Sequence, residues 1–181
     1  MATDYTPFSY TLNIDIDLNK ITDKQLHRIT NANLARAMER GIDKGFQILE
    51  ERVNDRLRQE LSRYNISDSS VIGDISVRRI GNDGFEMTGV GEVVYVEFGT
   101  GYVAKQTSGH PNPKEWDGFM GYDVNKHGEK GWTYMEDGVY KHTRGQIPKP
   151  FMHNTWTYAR QAFTGIIEGA INREIGKELG L

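Results

Sequence analysis

The sequence predicts an α+β fold: a long N-terminal helix and a C-terminal helix packed on a small antiparallel sheet, with a long projecting loop and hairpin. Three observations predict it. Apolar residues recur every three or four positions from about residue 30 to 64, and again from 151 to 179. Short β-rich runs lie between those stretches. Residues 100–149 hold most of the glycine, proline and tryptophan and little periodicity.

Tyr10 to Leu18 alternates strictly, with Leu12, Ile14, Ile16 and Leu18 on one side and Thr11, Asn13, Asp15 and Asp17 on the other. That is the period of a half-buried strand, so residues 9–18 form an N-terminal strand arm. Over 30–64 the stripe is Leu34, Met38, Ile42, Phe46, Leu49, Val53, Leu57, Leu61 and Tyr64. The opposite face sets Arg36 near Glu39, Arg40 near Asp43, Arg52 near Asp55 and Arg56 near Glu60, spacings at which opposite charges meet on a helix. Gly41 and Gly45 interrupt it and allow close packing or a bend.

Residues 71–99 read as the sheet. Val71 to Ile80 and Phe85 to Val90 flank Asn82-Asp83-Gly84, which carries hairpin-turn chemistry. Val93 to Phe98 is apolar on both faces, and its period alone fits a buried strand or a short buried helix; we take it as the central sheet segment, ended by Phe98 and Gly99. A second hairpin runs from Gly131 to His142, turning at Glu136-Asp137-Gly138. Pro150 suits the first turn of the last helix, whose apolar face is Trp156, Ala159, Phe163, Ile166, Ile167, Ala170, Ile171 and Ile175. The 181 residues are read as one domain.

Composition narrows the function classes. The chain has no cysteine, which removes disulfides and thiolate chemistry. A formal charge of -3 and a pI near 6.0 offer nucleic acid no global attraction. A mean hydropathy of -0.62 indicates a thin apolar supply, with length left for loops or partner contacts. No stretch approaches the roughly 20 apolar residues of a membrane span, and the first residues lack a secretory layout, so the chain is expected in the cytoplasm until it joins something.

The candidate chemistry is sparse. His27, His110, His127, His142 and His153 lie too far apart in sequence for a local metal-ligand pair, and no cofactor or metal is expected. Glu115, Asp117, Asp123, Glu129, Glu136 and Asp137 beside Trp116 and Trp132 would suit a carbohydrate-binding or hydrolytic module, but balancing lysines and an arginine fit a solvated loop better. Gly99-Thr100-Gly101 reads as a turn rather than a phosphate loop. Gly165-x-x-x-Gly169 would allow another backbone to approach. Within residues 66–99 the acids Asp68, Asp74, Asp83, Glu86, Glu92 and Glu97 outnumber Arg78 and Arg79, which reads as a polar sheet face or as a rim that repels phosphate.

Two motifs carry a resemblance. Val93-Val94-Tyr95-Val96-Glu97-Phe98-Gly99-Thr100-Gly101 resembles the signature ending in Glu-Phe-Gly-Thr of the siphophage neck and tail-completion family, whose members are called head–tail joining or minor tail/capsid components. Gly145-Gln146-Ile147-Pro148-Lys149-Pro150-Phe151-Met152-His153-Asn154-Thr155 resembles that family's second marker, and Gly131-Trp132-Thr133-Tyr134 is similar to members from phages of Gram-positive hosts. Order and spacing agree across residues 30–175; the strand at 9–18 departs from many members and would pair with a neighbouring subunit.

The resemblance implies a non-enzymatic structural ring in the virion neck, sixfold or a multiple of six, joining the capsid connector to the tail. Its partners would be copies of itself, head-completion or connector proteins, and tail-terminator or tail-tube proteins, with DNA only passing through. The nearest alternative is a tail terminator capping the tube. Assembly residues are then expected at Tyr95, Glu97, Phe98, Gly99, Pro150 and Phe151, and aromatic anchors at Trp116, Trp132, Tyr134 and Tyr140. Deleting residues 105–142 should leave a folded chain that builds no virions, to be read as infectious yield.

Overall fold

The computed structural model describes residues 8–13, 31–67, 69–81, 84–107, 110–111 and 130–180. In chain order the elements are β1 (Phe8–Asn13), α1 (Asn31–Arg63), α2 (Ser69–Gly73), β2 (Ile75–Ile80), β3 (Gly84–Gly89), α3 (Glu92–Phe98), α4 (Gly101–Thr107), β4 (Trp132–Glu136), β5 (Val139–Thr143), β6 (Gly145–Gln146) and α5 (Phe151–Glu178). The fold is α+β, with α1 and α5 packed together and small antiparallel sheets. One sheet has the order β1-β3-β2 and the other is the β4-β5 pair.

Two sequence expectations are corrected. The strand expected over Val71–Ile80 opens instead with helix α2, and only Ile75–Ile80 is extended. Val93 to Phe98 is not the central sheet segment but helix α3. Its buried residues are Val93, Val94, Glu97 and Phe98, spaced as one helical face, and Gly91 and Gly99 bound it with φ of 57° and 74°. The N-terminal strand β1 lies at the edge of its sheet, beside β3. The expected continuation of that strand through Leu18 lies outside the described residues, as do Asn82 and Asp83 of the first turn.

The described residues form two compact units. One comprises the start of the chain through Tyr10, Leu57–Ser76 and Met87–Thr155; the other comprises Thr11–Arg56, Val77–Glu86 and Trp156–Leu181. In the second unit the seam between α1 and α5 is made by small residues. A Cβ on Gly41 would lie 2.5 Å from the Ile171 Cα, and one on Gly45 would lie 2.7 Å from Ile167 Cδ1. Ala37, Gly41, Gly45, Leu49 and Val53 are buried at intervals of four, as are Ala159, Phe163, Ile167, Ile171 and Ile175. Such rows are the ridges by which helices interlock. The expected apolar face of α5 is buried throughout. Around Gly165 and Gly169 an added Cβ meets open space or only the end of Arg173, so the seam runs through the glycines of α1 instead.

Phe46 of α1 stacks on Phe85 of β3 (6.4 Å between centroids) and meets Phe163 of α5 edge-on. The Arg79 guanidinium lies over the Phe46 ring at 4.5 Å and bonds Asp43 at 2.6 Å. Arg40 therefore does not pair with Asp43 as expected; it reaches across to Glu174 and Glu178 of α5. Glu174 also takes Lys177 Nζ at 2.8 Å and Lys44 Nζ at 2.6 Å. Those hydrogen bonds, the one from Lys177 foremost, hold its carboxyl down at about 2 against a burial that pushes the other way. A carboxyl depressed on folding stabilises the folded chain above its unfolded pKa, and the benefit disappears as pH falls through the folded value. Stability to urea is therefore expected to decline between about pH 4.5 and about pH 2, and Glu174→Gln to remove part of that slope.

Candidate functional site

The two family-like motifs, some fifty residues apart in the chain, fold onto each other within the first unit. A helix leaves its last carbonyls and first amides without partners inside the helix. Here each motif supplies what the other's helix lacks. Gln146 Nε2 donates to the Tyr95 carbonyl at 2.7 Å, and the Lys149 amide donates to the Val96 carbonyl at 2.9 Å, closing the end of α3. In return, Glu97 of α3 accepts the amides of Met152 at 2.9 Å and His153 at 2.9 Å, closing the start of α5. His110 Nε2 lies 3.1 Å from the same carboxylate.

Glu97 is 0% exposed. A buried carboxylate is tolerable only when its oxygens are fully bonded, and the partial positive charge at a helix N-terminus favours it further. His110 packs its ring on Phe98 at 4.5 Å and on His153 at 5.4 Å. Nearby, the Asn154 amide side chain bonds Glu60 at 3.1 Å and the Tyr64 hydroxyl at 3.2 Å, tying the end of α1 to the same turn of α5.

The backbones of the two motifs also touch. Thr100 and Gln146 form one antiparallel bridge and Gly101 and Gly145 the next. The approach is too close for side chains: a Cβ on Gly99 would sit 2.5 Å from the Gln146 carbonyl oxygen, and one on Gly145 would sit 1.8 Å from that of Thr100. Both glycines also have positive φ, where other residues are strained. Trp132 at the base of the hairpin packs against Gly101.

The sequence-selected residues thus separate into two groups. Glu97, Phe98, Gly99, Pro150 and Phe151 are buried inside the chain, and Tyr95 is half-buried, contributing its carbonyl to the junction. Trp132 is half-buried, whereas Tyr134 and Tyr140 are exposed. Trp116 lies outside the described residues. Of the acids of 66–99, Glu97 is the cap just described and Glu86 pairs with Arg78 at 3.0 Å, so neither belongs to an unpaired acidic rim. Sequence reasoning weighed His110 only as a metal ligand and missed its burial beside Glu97, which had no neighbouring signal, and it missed the capping role of Glu97, which had one: a carboxylate alone in an apolar run needs a buried partner.

The β4–β5 hairpin presents the contrasting surface. Asp137 and Gly138 both have positive φ, the pattern of a two-residue type I′ turn. The register pairs Met135 with Tyr140 and Glu136 with Val139. Tyr140 is 74% exposed and Met135 and Val139 are each 59% exposed. Among the described residues no group of His, Cys, Asp and Glu could hold a metal ion, and no helix is long and apolar enough to cross a membrane. No family model matches the chain, and neither a curated protein nor a solved structure matches it significantly.

Proposed function

We propose that this protein is an assembly subunit, a chain whose work is done by surfaces that meet other chains rather than by chemistry at a pocket. More particularly, it is a neck ring protein of a tailed bacteriophage, a tail-completion or head–tail joining component that closes the passage from capsid connector to tail. The observation that carries this reading is the junction itself. The Glu-Phe-Gly-Thr and Pro-Phe-Met segments, which bear the resemblance to that family, cap each other's helices through Glu97, Gln146 and Lys149. They act as one structural unit. The apolar tip of the β4–β5 hairpin adds support, because a hairpin wet on both faces gains stability from a partner.

Copies of the chain would form a ring, sixfold or a multiple of six, held by contacts that are individually modest and together strong. Head-completion or connector proteins would lie on one side, tail-terminator or tail-tube proteins on the other. The net charge of -3 suits a lumen through which DNA slides without being held. Electron microscopy of purified particles tests this. A ring of this chain beneath the portal is the expected result. A ring at the tube end would assign it to the tail terminators, and its absence from particles would refute the proposal.

A further inference from the structure

We propose that His110 is a strap: by binding the carboxylate that caps α5 it holds the short helix α4 closed against the α3–α5 junction, and its release frees α4 and loosens the start of α5 together. The strap depends on the Glu97 cap alone, so its failure would leave the assembly reading standing. Helix α4 has seven residues. Isolated helices shorter than about 12–15 residues are marginal in water, so α4 depends on what closes its ends. Its start is held by the Thr100–Gln146 and Gly101–Gly145 bridges and by the Val103 amide, which donates to the Arg144 carbonyl at 3.2 Å. The Arg144 guanidinium lies 4.5 Å over the Tyr102 ring on the same turn. Beyond its far end the chain comes back to where it left α3: His110 Nε2 meets Glu97, thirteen positions earlier, at 3.1 Å.

Both characters of the imidazole are used. His110 is only 5% exposed, and a polar ring is buried at a cost unless it is bonded. A carboxylate can only accept, so the ring nitrogen facing Glu97 carries the hydrogen and donates it. The body of the ring packs on Phe98 of α3 at 4.5 Å and on His153 of α5 at 5.4 Å. One side chain therefore touches the last turn of α3 and the first turn of α5 while anchoring the chain that follows α4.

The strap can open without dismantling the junction. Glu97 keeps the amides of Met152 and His153 when the ring leaves, and the bonds of Gln146 to Tyr95 and of Lys149 to Val96 do not involve His110. Opening does uncover Glu97 and Phe98, which are 0% and 3% exposed in the closed form. Water then reaches the carboxylate, and its hydrogen bonds to the α5 amides weaken in the higher dielectric. A local opening of this kind lies below the free energy of global unfolding. The coupling runs both ways: whatever holds α4 closed tightens the α5 cap, and whatever displaces α4 loosens it.

Amide hydrogen exchange on the full-length chain tests the strap, with His110→Ala and His110→Gln compared with the parent. In His110→Ala the amides of α4 and those of Met152 and His153 are expected to exchange about tenfold faster or more, while those of Leu49 and Val53 in α1 keep the parent rate. Glutamine places an N–H donor near the position of Nε2, so His110→Gln is expected to recover most of the protection. Equal acceleration at every amide would mean that His110 only adds to global stability, and unchanged exchange in α4 would mean that it holds nothing; either result overturns the strap. Failure of glutamine to rescue would also overturn it, since the hydrogen bond would not be what holds. Should His110→Ala not fold, the parent chain still decides: a long-range nitrogen–proton spectrum is expected to show a hydrogen on Nε2 of His110, and a bare Nε2 would remove the donor on which the strap depends.

Discussion

Glu97→Ala is expected to destabilise the protein by about 3–5 kcal/mol, the cost of stranding buried partners of a lost charge. Two backbone donors, the amides of Met152 and His153, converge on this carboxylate, and the ring nitrogen of His110 lies 3.1 Å from it. Alanine removes that acceptor, and each buried donor left unmet costs about 1–3 kcal/mol. The favourable charge at the head of a 28-residue helix is lost as well. Glu97→Gln keeps the shape and one accepting oxygen, so its loss should be about half as large. Urea denaturation of the two variants gives the comparison. Equal losses would mean that packing alone matters at this position; no loss from alanine would mean that the junction does not hold the unit together.

How much of this was legible beforehand depends on the kind of signal. The two long helices were, because a stripe at helical spacing over thirty residues has few rival interpretations. The β4–β5 hairpin was also legible, since Asp137-Gly138 is suited to the positive φ of both turn positions. Helix α3 was not. Val93, Val94 and Val96 have β-branched side chains that favour strands, and tertiary packing overrides that preference here. The burial of residues 93, 94, 97 and 98, with Gly91 and Gly99 as the bounds, marks a helical face only once the surroundings are known.

Of the candidate site, Glu97 and the proline–phenylalanine step were singled out through the resemblance, and their placement inside the chain differs from the surface role that assembly residues suggest. The same residues that make a signature recognisable can do so because they are needed to build the subunit. The exposed apolar side chains lie elsewhere, Met135, Val139 and Tyr140 at the hairpin tip among them.

The second large effect is expected at Gly41, where alanine should lose about 2 kcal/mol although it improves helix propensity by about 1 kcal/mol. The new Cβ would lie 2.5 Å from the Cα of Ile171, a backbone atom that cannot turn aside. Carbon atoms settle at about 3.5–4.0 Å, so α1 and α5 would have to separate by roughly 1 Å, loosening the packing around Phe46 and Phe163. Gly45→Ala meets first the Cδ1 of Ile167 at 2.7 Å, the movable end of a side chain, and should fall within about 1 kcal/mol of the parent. Gly165→Ala meets nothing within 4 Å and should stabilise the chain by about 0.5–1 kcal/mol through helix propensity alone. Thermal or urea unfolding of the three variants therefore has a predicted order. If Gly41→Ala proved as stable as Gly165→Ala, the small residues of α1 would not be what brings the helices together. The apolar stripe of Leu34, Met38 and Ile42 would then have to do so, yet each of these is only half-buried while Ala37, Gly41 and Gly45 beside them are covered.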